Sequence, residues 1–137
     1  MPFDYFCMGC KGLASLTIFS MDIEVIRSYC MSKAYTSEGF PFDNDTLVFK
    51  VMGKMFCLTS LNEPDRINLK CDPEWAIVLR EEYPCVIPGF HMNKKMWNTI
   101  ILDGTVPKDI IMKWIDHSYE QVLKGLPQKL QKEIKGL

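Results

Sequence analysis

From Pro88 to Thr99 the chain reads Pro-Gly-Phe-His-Met-Asn-Lys-Lys-Met-Trp-Asn-Thr, and between Tyr83 and Leu102 the formal charges are Lys94 and Lys95 alone. Ammonium groups meet phosphates as point charges, and flat rings contact sugars and bases, so Lys94 and Lys95 beside turn-forming Asn93, with Phe90, His91 and Trp97 around them, suit a binding tip. A catalytic centre asks for more. His91 titrates near neutrality, yet local spacing brings it no serine, cysteine or carboxylate, and the second histidine, His117, sits on a distant helical segment. Two histidines do not fill a zinc site. Asp43-Asn44-Asp45 begins like a calcium loop but lacks the following glycine and the terminal glutamate, so it reads as a turn. No catalytic residue, metal site or cofactor is assigned.

Each of these groups has an ordinary alternative. Lys94 and Lys95 either grip phosphate or are a solvated turn that discourages edge-to-edge pairing of strands. Trp97 either stacks on a base or packs into the core, the commoner fate of tryptophan.

The tip needs a scaffold, and the hydrophobic pattern supplies one. Asp22 caps a predicted helix carrying Ile23, Ile26 and Cys30 at three-and-four spacing and ending before Thr36. After the turn-rich Phe40 to Asp45 comes a hairpin. With Gly53-Lys54 as a type II′ turn, Val51 would face Phe56 and Phe49 would face Leu58, with Lys50 opposite Cys57 on the other side. A third strand from Arg66 to Lys70 turns Ile67 and Leu69 inward and Arg66, Asn68 and Lys70 outward. One sheet face is then apolar, while Lys50, Arg66 and Lys70 lie on the other, either extending an electropositive strip, pairing with Asp and Glu on covering segments, or simply solvated.

Asp72-Pro73 opens a second helix with buried stripe Trp75, Ala76, Val78, Leu79 and Tyr83, stopped by Pro84. Extended pieces around Val86 to His91 and Met96 to Leu102 flank the lysine tip. Pro107 starts the longest helix, with Ile111, Trp114, Ile115, Tyr119, Val122 and Leu126 in phase, and a short basic segment from Lys129 to Lys135 follows. The predicted class is α+β: an antiparallel sheet of about five strands in the order α-β-β-β-α-β-β-α, with helices packed on one face.

At 137 residues and 47% hydrophobic composition the chain supports one cored domain. Its net charge of −1 excludes a protein that coats polyanions indiscriminately, so any nucleic-acid contact must come from local charge segregation. The apolar run Leu13 to Phe19 falls short of the roughly 20 residues that span a bilayer, and no membrane contact is expected. Six cysteines are present, of which Cys30, Cys57 and Cys71 fall within apolar helix or strand patterns, and no secretory signal precedes them. A reduced, cytoplasmic protein is the expectation. Residues 1–20 read as an N-terminal extension, with Met21 a natural start of the domain spanning 21–137. Cys7-Met8-Gly9-Cys10 in that extension has redox or half-zinc spacing but no second pair.

Several stretches together resemble the MmcQ/YjbR-like family. They are Phe40-Pro41-Phe42-Asp43, Asp45 to Val51, Gly53-Lys54-Met55-Phe56, Ile67 to Glu74, Pro88 to Lys95 with Trp97-Asn98-Thr99, and Asp116-His117-Ser118-Tyr119. The resemblance implies a small bacterial cytoplasmic α+β protein of the CyaY-like or secretion-chaperone-like kind, with a double-wing DNA-binding motif. The residues add that both hairpin tips, Gly53-Lys54 and Asn93-Lys94-Lys95, are cationic. The expected function is non-enzymatic DNA binding through the phosphate backbone, using Lys50, Lys54, Arg66, Lys70, His91, Asn93, Lys94, Lys95 and Trp97. A protein-interaction or chaperone-like adaptor is the alternative.

Overall fold

The computed structural model describes residues 22–89 and 92–135. The expectations placed on 1–20, and on Phe90 and His91, lie outside these described residues. Helix α1 (Ile23–Met31) begins where the Asp22 carboxylate accepts the Val25 N–H at 3.0 Å, as its sequence position requires. Strands β1 (Thr36–Gly39), β2 (Thr46–Val51), β3 (Lys54–Ser60) and β4 (Glu63–Lys70) follow. Helix α2 (Pro73–Glu82) is capped by Asp72, with Pro73 in the first turn. Then come β5 (Val86–Pro88), β6 (Trp97–Ile101), α3 (Lys108–Lys124) and α4 (Gln128–Lys135).

The strands form one antiparallel sheet in the order β1-β2-β3-β4-β6-β5. The α+β class holds, with six strands instead of about five. The added strand, β1, has the sequence Thr-Ser-Glu-Gly, which carries no apolar alternation. It exists because its backbone pairs with the already ordered β2, a tertiary cause that local pattern does not carry. The basic C-terminal segment is also helical, with Leu130 and Ile134 turned toward the core and its lysines outward.

One register expectation is corrected. The β2–β3 turn is Met52-Gly53, with φ of 50° and 83°, and Val51 pairs with Lys54. Positive φ at both central residues is the type I′ geometry, whose twist matches that of the flanking strands better than the turn assumed from glycine alone. A bulge between Phe49 and Lys50 absorbs the one-residue shift, so Phe49 meets Cys57, Val48 meets Leu58 and Lys50 meets Met55. Phe49, Val51, Phe56 and Cys57 thereby all enter the main core. Leu58 passes to the opposite face, where strand alternation already places Val48.

All four helices cover one face of the sheet. Phe49 and Phe56 are fully buried there, each contributing on the order of 1.5–3 kcal/mol from removal of apolar surface from water. Within α2, Ala76 and Leu79 are buried but Val78, expected in the stripe, is exposed. At about 3.6 residues per turn Val78 lies on nearly the opposite side of the helix from Ala76, outside the arc that Ala76 and Leu79 bury. Ser118 of α3 ties the layers together: its hydroxyl donates to the Phe56 carbonyl and accepts the Lys70 N–H at 2.8 Å. Tyr29 donates to Asp116 at 2.6 Å, and this bond, helped by burial, pushes the phenol up to about 12. Lys33 pairs with the same carboxylate.

Cys30, Cys57, Cys71 and Cys85 are free and buried. The hydrogen bond to Cys30 and burial push the Cys57 thiol up, and burial takes Cys71 to about 12, so neither carries thiolate at neutral pH.

His117 supplies a pH-dependent contact. Its Nε2 accepts the Asp72 N–H at 3.1 Å, and its ring meets Trp75 edge-on at 4.4 Å. Burial holds the imidazole below its ordinary 6.5, opposed in part by the Asp72 carboxylate. Because the unfolded chain then binds the proton more readily, the stabilisation is complete above 6.5 and is lost as pH falls through the lower folded-state value. Urea unfolding at steps from about pH 7.5 down to about 5 will show stability declining in this range, and His117→Gln will flatten that slope. An unchanged slope in the variant would remove His117 from the account.

Candidate nucleic-acid interface

Strand order and register decide where the cations stand. Val51 with Lys54 closes the β2–β3 hairpin, Cys57 pairs with Leu69, and Lys70 at the end of β4 pairs with Trp97 at the start of β6. The β5–β6 connection bearing Asn93, Lys94 and Lys95 therefore projects from the same end of the sheet as the Met52-Gly53 turn and Lys54. The last residue of β4, Lys70, lies between them. Neighbouring strands are about 4.8 Å apart, so β3 and β6 are separated by roughly 10 Å and the midlines of the two hairpins by roughly 14 Å.

Lys54, Lys94 and Lys95 are exposed, and Lys50 and Lys70 are half-buried on the sheet face opposite the helices. Among the described residues none of these five forms an ion pair. Arg66 stands apart. It pairs with Ile101 at the far end of the β4–β6 ladder, four residues from Lys70, and its guanidinium is held by Asp65 at 3.2 Å and reaches Glu63 at 4.0 Å. The hydrogen bond to Asp65 leads the causes that raise its pKa. It does not join the lysines.

Trp97 is 8% exposed and packs with Val48 and Leu58, flanked by Met55, Met92 and Met96. Of its two readings, packing is the one realised. The ring builds a second, smaller core on the sheet face that no helix covers among the described residues, and it braces the lysine tip from beneath.

The tip itself is built by residues that pattern reading passed over. The Asn93 side chain accepts the Lys95 N–H at 3.0 Å, and its carbonyl accepts the N–H groups of Met96 and Trp97, closing a tight turn that points both lysines outward. From α2, Arg80 reaches across. Its Nε donates to the amide oxygen of Asn98 at 2.7 Å, and its Nη2 donates to the carbonyls of Lys94 and Trp97. Asn98 is 2% exposed, so this charge-assisted bond satisfies a buried amide that would otherwise be costly. In the sequence, Arg80 looks like the solvated side of a helix; only Asn98 in the middle of an apolar strand hints that a polar partner is required.

Gly89 completes the construction. A Cβ there would lie 2.8 Å from the Trp97 Cβ and 2.9 Å from its carbonyl oxygen, while the Gly89 N–H donates to that oxygen at 2.8 Å. Gly89→Ala is expected to cost about 1–3 kcal/mol, because backbone must shift where no flexible side chain can yield. Chemical denaturation will measure it, and a cost below about 0.5 kcal/mol would show that β5 and Trp97 part easily.

Other candidates resolve into structure. The Asp43 carboxylate accepts the N–H groups of Asp45 and Thr46 at 2.8 and 2.7 Å, which makes it the turn expected. These backbone bonds lower its pKa. Among the described residues no three histidine, cysteine or acidic side chains gather in a way that would hold a metal ion, and no helix is long and apolar enough to cross a membrane.

The uncovered sheet face also carries a groove of about 870 Å³, lined in part by Phe42, Met55, Leu58, Ile87 and Met92. Sequence reading assigned this face to cations alone. It missed the groove because the turn register and the β3 bulge are what bring Leu58 to this side, next to Val48, which strand alternation already places there.

A family model for YjbR matches residues 31–121. The chain belongs to the YjbR family. It is 32% identical over 113 residues to the "uncharacterized protein YjbR" of Escherichia coli strain K12, covering 82% of this chain and 96% of that one. It is 35% identical to YbdF of Escherichia coli O157:H7, again over 82% of this chain and with 93% of the relative covered. Among solved structures it is similar to the Deinococcus radiodurans protein DR2400, of domain family DUF419, at 40% identity and a TM-score of 0.79, covering 85% of this chain and 90% of that one. A Pseudomonas syringae protein, target PsR293, matches at 27% identity and a TM-score of 0.62, over 74% of this chain and 98% of its own. The resemblance drawn from the hairpin and tip residues is thus borne out as YjbR family membership.

Proposed function

We propose that this protein is a non-enzymatic binding module of a reducing cytoplasm that contacts the phosphate backbone of duplex DNA through two cationic hairpin tips. The observation that carries the reading is that sheet order sets Lys54, Lys94 and Lys95 at one end, with Lys50 and Lys70 on the face between them and no ion pair on any of the five among the described residues. A separation of roughly 10–14 Å between tips is close to the roughly 12 Å width of the major groove, so the two tips can address phosphates on its opposite edges. Lysines on loops read backbone and carry no base information. With a net charge of −1 the affinity is modest and strongly salt-dependent. Arg66, held by acids at the other end, is left out of the contact set.

Fluorescence anisotropy with a labelled duplex between about 20 and 200 mM salt tests this, with binding expected to weaken steeply across the range. No salt-sensitive binding at micromolar protein would end the proposal.

A protein-interaction role is the second reading, favoured by the apolar groove on the uncovered sheet face. A pull-down from nuclease-treated bacterial lysate separates the two: partners that vanish with nuclease support DNA, and partners that persist support this reading.

A further inference from the structure

The groove runs along β3 from Met55 to Ser60, a span of roughly 17 Å, which equals about three turns of α-helix. Its apolar lining is Phe42, Met55, Leu58, Ile87 and Met92, with Phe42 and Ile87 63% and 39% exposed. Unbranched methionines adapt to the surface laid against them. Beneath the groove, β3, β4 and β6 are hydrogen-bonded on both sides, so the face offers no free ladder to an extended strand. A helix, whose backbone bonds are internal, needs none. A second copy laid face to face would leave two concavities confronting each other, whereas a convex helix about 10–12 Å across fills one.

Charge gives the groove a direction. Asp43 and Glu63 line one end, where Arg66 is already held by Asp65. Lys50 and Lys70 stand on the same face at the other end, beside the tips of Lys54, Lys94 and Lys95.

We infer that this groove docks an amphipathic helix of a protein partner, about three turns long, basic in its first turn, acidic in its last, and lying with its C-terminal end toward the lysines. Both the side-chain charges and the helix dipole favour that orientation. The inference rests on the protein-interaction reading and adds the occupant and its direction.

The test is a titration of the isotope-labelled full chain, followed by amide NMR, with a stapled helix of about 12 residues that carries a leucine stripe, lysines in its first turn and glutamates in its last. Saturable shifts confined to the groove are expected, with a Kd on the order of 10–100 μM. A probe of identical composition with the two charged turns exchanged should bind at least roughly fivefold more weakly, and Glu63→Lys should erase that preference. Phe42→Ser combined with Ile87→Ser should weaken binding at least roughly tenfold while leaving duplex affinity unchanged; both positions are exposed, so the variant folds.

The inference is overturned if no saturable shift appears up to about 1 mM probe, if shifts fall elsewhere, or if the two probes bind equally. It is equally overturned if a small apolar dye saturates the groove and the stapled helix does not displace it. Should nuclease-resistant partners persist on the Phe42→Ser, Ile87→Ser variant, only the helix assignment falls. If wild-type protein captures no such partner, the interaction reading itself falls.

Discussion

Reversing the charge of Lys54, Lys94 and Lys95 together to glutamate will reduce duplex affinity by roughly 10²–10³-fold at about 50 mM salt. Each lysine that neutralises a phosphate releases a condensed counterion, so losing three contacts removes about three steps from the dependence of log affinity on log salt. The variant should therefore show a clearly shallower salt response, the part left to Lys50 and Lys70, as well as weak binding. Arg66→Glu is the internal control. It lies at the far end of the β4–β6 ladder from the tips, paired with Asp65 and Glu63, and its reversal should leave duplex affinity within about twofold. Anisotropy titrations on the two variants settle the matter: equal losses would mean that overall charge, and not the placement of the tips, governs binding. All four positions are on the surface or at its edge, and the expected change in stability is within about 0.5 kcal/mol.

Arg80→Ala will have the largest effect on folding of any polar substitution considered. It leaves the Asn98 amide oxygen, in a side chain 2% exposed, without its charged donor, and removes the only described side-chain donors to the carbonyls of Lys94 and Trp97. Stranding a buried acceptor costs about 1–3 kcal/mol, more where the lost donor was charged, and the released tip adds to it. A loss of roughly 2–4 kcal/mol is expected, or a Tm lower by about 6–15 °C for a chain of this size. Arg80→Lys should recover little, because an ammonium cannot span three acceptors with one planar fork. Scanning calorimetry gives the first comparison. Duplex titration below the transition gives the second, since a loosened tip should also weaken DNA binding. A variant as stable as wild type would show that Asn98 finds water, and that the tip holds itself through Asn93 alone.

The two experiments address different links in one chain of cause. The lysines touch the ligand, whereas Arg80, Gly89 and Asn93 set where Lys94 and Lys95 point. Conserving the charge while moving the tip should therefore resemble losing the charge, with the stability measurement telling the two apart.

Much of this protein was legible before any coordinates. Asp22 and Asp72-Pro73 mark helix starts by the hydrogen-bond chemistry of exposed N–H groups, and alternation from Arg66 to Lys70 marks a strand with defined faces. The phase of Ile111, Trp114, Ile115, Tyr119 and Val122 marks the long helix, with every one of these residues buried. Such signals are local, repeating over one to four residues, and so the linear sequence carries them. Family membership was legible for a similar reason, because the hairpin and tip stretches occur together and in order.

What the tertiary structure alone decided is relational. β1 owes its existence to β2, not to its own four residues. The choice of Met52-Gly53 over Gly53-Lys54 as the turn, and the bulge that follows, moved Leu58 out beside Val48 and Cys57 into the main core, and so created a second core and a groove. Strand order brought five lysines to one end and left Arg66 with acids at the other, although all six look alike in the chain. Apart from the hairpin turn itself, these outcomes depend on pairing between residues about 10 to 50 positions apart, such as Arg80 with Asn98 or Lys70 with Ser118. Their free energy belongs to the assembled layers, and no short window of sequence contains it.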